Sequence, residues 1–472
     1  MNMELFDIMR NELKPALGCT GPIGICFCAA QAYDAIGGTI RDILVDIDWG
    51  FGSKVDDVAF PGTQMLGLEM AIALGALGGD ASAGLEVLHA VTPDVEMKAR
   101  KVAELVRIQP CWDRKELGLY VRITITTDKG TGVAVIQNRS DGLTLKMRND
   151  EILEQHEPDA SAQSMTDVIL KYKIRDFYEF AETAPLEKFD FIRTAIEYNT
   201  SLAEATFREK LGAGIGCRLK NDADGNRVTK AKAYASAGCE ARMSGINLPA
   251  MSCANKGNVG LAASLPLISL AQDEGIGTEQ LMRALILSYL VAISIIRRIG
   301  KSPSMCSCEV AAALGTAAGA VLLHGGTELQ VEQAIQNTIP SVFGVVCDGA
   351  KLACALRISS GTGIALEAAD MALHDVHLAN NQGVLDKTAD DSINLLGHTA
   401  LFSMVDSDRD LCRQLFAKRH TSFISLNLFR KAASALLMSL SSTGSPSCKR
   451  PATGCVQTPA ETTCFRRVFF GV

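Results

Sequence analysis

A change of hydrophobic period near residue 150 constrains this chain more than any other feature. Before it, Ile43-Leu-Val-Asp-Ile47, Tyr120-Val-Arg-Ile-Thr-Ile125 and Val133-Ala-Val-Ile136 alternate or run β-branched, and Asp128-Lys-Gly130 supplies a turn between the last two. A Gly/Ala-rich helix over about 64–78 and another from Asp94 to Val106, opened by Thr92-Pro93, lie between these strands. After it, apolar residues recur at helical spacing, with helices expected over 278–298, 309–323, 328–338 and 363–374. Glycine-rich breaks at Gly212–Gly216, Gly238–Gly260, Gly300–Cys308 and Gly344–Gly349 separate the helices, and no strand is expected among them. The fold class is therefore α+β: a mixed α/β part over 36–150 and a mostly helical, Gly/Ala-rich part over 151–418.

Two end segments complete the organisation. Residues 1–35 form an N-terminal helical segment, in which Pro15 interrupts a helical run over 3–16 and a second helix spans Ile23–Ala35. Residues 419–472 hold seven Lys or Arg and one acid, whereas residues 1–418 hold 39 Lys or Arg against 52 Asp or Glu. The tail reads as disordered or misregistered.

Composition excludes several function classes. The net charge is −7 and no basic stripe interleaves with aromatics, so nucleic acid is not an expected partner. The most apolar stretch, Ala284–Ile296, has 13 residues and reads as a buried helix rather than a membrane span. Acids precede any apolar core at the N-terminus, which does not suit a secretion signal, and a cytoplasmic protein is expected. With 41 glycines and 6% aromatic residues, the helices are expected to pack closely through small side chains.

Fifteen cysteines do not form a short disulfide framework, and several sit in Ala/Gly-rich apolar segments where a thiol packs as a small hydrophobe. Three stand at Gly-bearing breaks beside helices: Cys19 in Leu17-Gly-Cys-Thr-Gly-Pro22, Cys306 in Ser304-Met-Cys-Ser-Cys308, and Cys347 in Val345-Val-Cys-Asp-Gly-Ala-Lys351. Thiolates near helix N-termini are stabilised by the dipole and suit soft metal centres. Spacing alone leaves unrelated core cysteines as the other reading, because the separations are 287 and 41 residues and no Cys-x-x-Cys pair occurs.

The segment Glu12-Leu-Lys-Pro-Ala-Leu-Gly-Cys-Thr-Gly-Pro22 resembles the start of the L-cysteine desulfidase family, which is related to the alpha part of iron–sulfur L-serine dehydratases. The likeness continues through Phe60-Pro-Gly-Thr-Gln-Met-Leu-Gly67, Ala73-Leu-Gly-Ala-Leu-Gly-Gly-Asp80, the segment around Cys306, and Val346-Cys-Asp-Gly-Ala-Lys351. The resemblance implies a 4Fe–4S cluster on Cys19, Cys306 and Cys347, with Cys308 and Cys354 as substitutes, and removal of sulfide and ammonia from L-cysteine. L-serine dehydration and a non-catalytic iron–sulfur redox sensor are the alternatives. The chain departs from the family pattern at Gly21, where an acid is usual, at Arg139-Ser140-Asp141, which lacks a histidine, and at Asn255–Gly260.

Other polar residues complete the candidate site. Lys351, four residues after Cys347, is the candidate catalytic residue, expected one helical turn on. Arg242 and Asn258 are candidates for binding a substrate carboxylate at a Gly-rich loop. His324 and His398 read as helix-end or surface histidines. The expected partners are a small amino acid and, in a homo-oligomer, further copies of the chain; neither nucleic acid nor a membrane is expected.

Overall fold

The computed structural model describes residues 2–18, 20–55, 66–114, 118–158, 167–300 and 302–418. The tail over 419–472 and Cys19 lie outside the described residues. Elements in chain order are α1 (Met3–Glu12), β1 (Leu13–Leu17), α2 (Thr20–Ile36), β2 (Ile40–Asp48), one turn α3 (Trp49–Gly52), α4 (Leu68–Gly78) and α5 (Pro93–Ala103). Strands β3 (Val106–Cys111), β4 (Tyr120–Thr127), β5 (Gly130–Gln137), β6 (Leu143–Arg148) and β7 (Glu151–Gln155) follow. Then come α6 (Ile174–Thr183), α7 (Asp190–Glu209), α8 (Ile215–Asp222), α9 (Arg227–Met243), β8 (Pro249–Cys253), α10 (Gly257–Glu274) and α11 (Thr278–Ile299). The last helices are α12 (Val310–Leu323), α13 (Glu328–Val342), α14 (Cys354–Leu373), α15 (Ala389–His398) and α16, which begins at 405.

The α+β expectation holds. Strands β2 to β7 form one sheet of order β3-β2-β4-β5-β6-β7, in which β2 and β3 run parallel and every other pair is antiparallel. Burial alternates along β4, so one face packs beneath helices. Glycine allows α2 to lie tightly on that face: a Cβ on Gly132 of β5 would sit 2.1 Å from the carbonyl oxygen of Ala32. Ile25, Cys26, Cys28 and Ala32 of α2 join Ile43, Ile123 and Ala134 in this core.

The second core is helical. Its centre is α11, flanked by α10 and α12, and close approach again depends on missing side chains. A Cβ on Gly315 would meet the Ser288 carbonyl oxygen at 2.5 Å, and one on Gly319 would meet Leu267 Cδ1 at 2.6 Å. Among the described residues α11 alone is long and apolar enough to cross a membrane, and 83% of its apolar window is buried by the rest of the protein. Leu5, Ile8, Met9 and Leu13 pack into this helical core, so the first 35 residues contribute to both cores.

Several sequence expectations need correction. The first helix ends at Glu12, and Leu13–Leu17 is a strand, because a residue before proline is pushed toward extended backbone. That strand pairs antiparallel with β8, Leu13 opposite Cys253 and Leu17 opposite Pro249. A strand thus occurs where only helices were expected, and Gly238 lies inside α9 rather than in a break. The helix expected from 363 begins nine residues earlier, at Cys354. The expected Asp94–Val106 helix stops at Ala103, and Val106 starts the edge strand β3.

Candidate functional site

Cys306 and Cys347 are brought together by backbone pairing rather than by sequence. Cys306 N donates to the Val345 carbonyl (2.8 Å), and Cys347 N donates to the Ser304 carbonyl (2.8 Å), around a bridge between Met305 and Val346. Cys308 Sγ lies 3.4 Å from Cys306 Sγ, Cys347 acts on Cys306, and Cys354, whose Sγ reaches the Gly349 carbonyl (3.6 Å), acts on Cys308. Four thiols therefore form a connected group, three of them buried. Cys306 is held well below the usual thiol range, chiefly by hydrogen bonds from Cys308 and Cys347, with Arg357 and the Glu309 N–H assisting. The Val310 N–H bonds the Cys306 carbonyl (2.8 Å), so this thiol sits at the entry to α12.

Charged groups surround these thiols. Arg357 Nη2 donates to Asp348 Oδ1 (3.0 Å), and its charge acts on Cys306 and Cys347. Lys351 Nζ is held by the Asp348 carbonyl (2.7 Å) and carboxylate (2.8 Å). Residues 347–353 are not helical, so Lys351 stands on a loop and not one helical turn after Cys347. Gly349, at φ +98°, breaks the chain there. Glu309, directly after Cys308, is raised to about 7 by burial and then by the Cys306 charge. Glu309, Arg357 and Lys54 escaped sequence reading; the Cys-Ser-Cys-Glu run before an Ala-rich helix is the one signal that pointed to the first.

Arg242 and Asn258 are also brought together. Arg242, 5% exposed, donates from Nη1 to Asn258 Oδ1 (2.9 Å) and from Nη2 to the Gly18 carbonyl (2.9 Å). Its Nε is buried without a partner among the described residues. The expected Gly-rich loop is in fact the first turn of α10, and Gly257 leaves room for the guanidinium, since a Cβ there would lie 2.2 Å from Nε. Pairing of β1 with β8 delivers Gly18 to this place. Cys239 and Arg242 stand three residues apart, one above the other on α9, and the charges of Cys354 and Arg242 act on Cys239.

The departures from the family pattern have packing reasons at two points. A Cβ on Gly21 would lie 2.8 Å from Val55 Cγ1, so an acid does not fit without movement. The Arg139–Asp141 turn packs against α2 at Gly24, where a Cβ would lie 2.8 Å from Ser140 Cβ. His324 is paired with Glu274 (2.8 Å) at the end of α12, and His398 ends α15 against Phe402, both in helix-end positions.

Among the described residues no group of three or more His, Cys, Asp or Glu side chains is placed to hold a single metal ion. The sulfur donors on the two paired segments are all thiols with cations near them, and soft thiolates are the donor type that an iron–sulfur cluster takes.

Residues 82–412 match the family described as the serine dehydratase alpha chain. A "UPF0597 protein" of Clostridium tetani (strain Massachusetts / E88) is 34% identical over 412 residues, covering 86% of this chain and 97% of its own length. Proteins of the same printed name from Clostridium botulinum (strain Langeland) and Bacteroides fragilis (strain ATCC 25285) are each 33% identical, over 415 and 414 residues. Each covers 86% of this chain, and 97% and 96% of the respective relative is matched.

Proposed function

The chain belongs to the serine dehydratase alpha chain family, and from that premise we propose that it is a lyase removing the β-substituent and ammonia from a small L-amino acid. L-cysteine is the proposed substrate, with sulfide and pyruvate as products; the family description favours L-serine, losing water, as the second reading. The observation that carries the proposal is the pairing of 304–306 with 345–347, which collects Cys306 and Cys347 in one buried thiol group. The family is in general iron–sulfur-dependent.

Cys306 and Cys347 are the proposed donors, and the backbone pairing of their segments supports that reading. The third is Cys19 by resemblance or Cys354 by its link through Cys308 to the group. When bound, a cluster held by these thiolates would supply a Lewis acid for the departing β-substituent. The remaining work falls to the chain's own residues. Arg242 keeps one buried donor, Nε–H, for a carboxylate oxygen, while Asn258 and Gly18 fix the plane of the guanidinium. Lys351, placed by Asp348 on the loop after Cys347, is the residue proposed to handle the Cα proton at Nζ. The burial of Cys306, Cys308 and Cys354 limits water at the thiol group.

Anaerobic protein, counted for iron and sulfide and assayed for sulfide and pyruvate with L-cysteine and L-serine, tests this reading. Turnover of L-cysteine supports it, and turnover of L-serine alone moves it to the dehydratase. Full iron with neither turnover overturns the lyase and leaves a redox sensor. Iron counts in Cys19→Ser and Cys354→Ser decide the third donor.

A further inference from the structure

Lys54 does not belong to any helix or sheet of the thiol group, yet it touches both segments that carry it. Its Nζ donates to the Pro303 carbonyl (2.8 Å), three residues before Cys306. Its own carbonyl accepts from Ala350 N (3.0 Å), three residues after Cys347. Gly349 makes this approach possible, because a Cβ there would lie 2.9 Å from the Lys54 Cα. The side chain is 9% exposed and ends in a 2.8 Å ion pair with Asp408 of α16. Next along the chain, Val55 packs into the α/β core.

A purely mechanical clamp would not need a charge here. Burying an ammonium is costly unless nearby anions offset it, and a neutral donor would serve the Pro303 carbonyl as well. Burial opposes the Lys54 charge, and the 2.8 Å ion pair with Asp408 and the hydrogen bond to the Pro303 carbonyl offset that penalty. The arrangement thus holds a fixed cation between the two thiol-bearing segments, in addition to Arg357, whose charge acts on Cys306 and Cys347 and which is paired with Asp348.

We propose that Lys54 is a positioning residue of the cluster site: it locks the 303–306 and 347–350 segments at a fixed separation and places a buried positive charge between the segments that carry Cys306 and Cys347. The inference rests on the iron–sulfur reading given above. Positive charge near a cluster favours its reduced form, since burial and net charge set cluster potentials. Residues behind metal ligands typically change metal affinity 10- to 100-fold.

The experiment uses the full chain with its cluster, in wild type, Lys54→Met, Lys54→Arg and Asp408→Asn. Two readouts are followed: the rate of iron loss to a chelator, and the midpoint potential of the cluster. Lys54→Met is expected to lose iron about tenfold faster and to shift the reduction equilibrium about tenfold toward the oxidised form, or 59 mV downward for one electron. Lys54→Arg keeps the charge and restores the potential. Asp408→Asn removes the compensating acid and moves the potential upward, which tests the charge even where Lys54→Met does not fold. A folded Lys54→Met with wild-type potential, or Asp408→Asn with an unmoved or lowered one, overturns the inference. Wild-type protein that takes up no cluster overturns the iron–sulfur reading instead, so the two failures are distinguishable.

Discussion

The chain contains two Cys-x-Cys pairs, Cys26-Phe-Cys28 and Cys306-Ser-Cys308, with the same spacing and comparable burial, and their chemistry differs. Cys26 and Cys28 lie inside α2, where residues two apart point in different directions, so each sulfur meets its own apolar surroundings. Cys28 Sγ reaches the Ala134 carbonyl (3.4 Å), and burial pushes its thiol up to about 12; burial raises Cys26 further. Cys306 and Cys308 stand before α12 in non-helical backbone, which lets their sulfurs meet at 3.4 Å, and Cys306 is held low. A shared motif therefore does not set reactivity. Backbone conformation and the neighbouring donors do.

The largest expected effect tests that contrast directly. Cys306→Ser should lose most of its iron and its turnover, whereas Cys26→Ala should keep both and lose only about 1 kcal/mol of stability to a small cavity. Iron counts with denaturant melts measure this, and iron loss in the second variant but not the first reverses the comparison. Next in size, Arg242→Met asks whether the reactive region extends to α9. Removing a charged hydrogen-bond donor is worth about 1.5–3 kcal/mol, so KM for the amino acid should rise roughly 10- to 100-fold. An unchanged KM confines the site to the thiol group.

Gly75→Ala sharpens the comparison from the packing side. The added Cβ would lie 2.2 Å from the Cys26 carbonyl oxygen, so α4 must shift from α2. Overpacking of this kind destabilises by about 1–3 kcal/mol, and the iron content should not change. A loss of iron would mean that the Cys26 region supports the cluster after all.

The smallest effect is a pH dependence. Burial, only partly opposed by the Phe51 N–H and Arg114, raises Asp48 above its ordinary 3.8. The folded state then binds a proton that the unfolded state has released. The associated stability is present below the unfolded value and is lost as pH rises through the folded one. Asp48→Asn should flatten the acid-to-neutral stability profile. A steeper fall with rising pH in the variant would contradict the sign.

How much of this was legible in the sequence depends on the range of the interactions involved. The strands around Ile43, Tyr120 and Val133 and the helices over 310–323 and 278–299 were readable, because a period of two or 3.6 is a local property. The strand Leu13–Leu17 was not, because its partner is Pro249–Cys253, more than two hundred residues away. Lys351 was misplaced because the spacing of four suggests a helix, and the positive φ of Gly349 breaks it.

By itself the sequence determined the α+β division, the family to which the chain belongs and which thiol-bearing segments to suspect, since periodicity and motif identity are written in neighbouring residues. Only the tertiary structure decided that Cys306 and Cys347 lie side by side, that Arg242 grips Gly18, and that Lys54 joins the two thiol segments. Each of these needs a contact between residues dozens to hundreds of positions apart. Such contacts form only when the backbone hydrogen bonds and the small-residue packing of the whole fold have fixed where those segments meet.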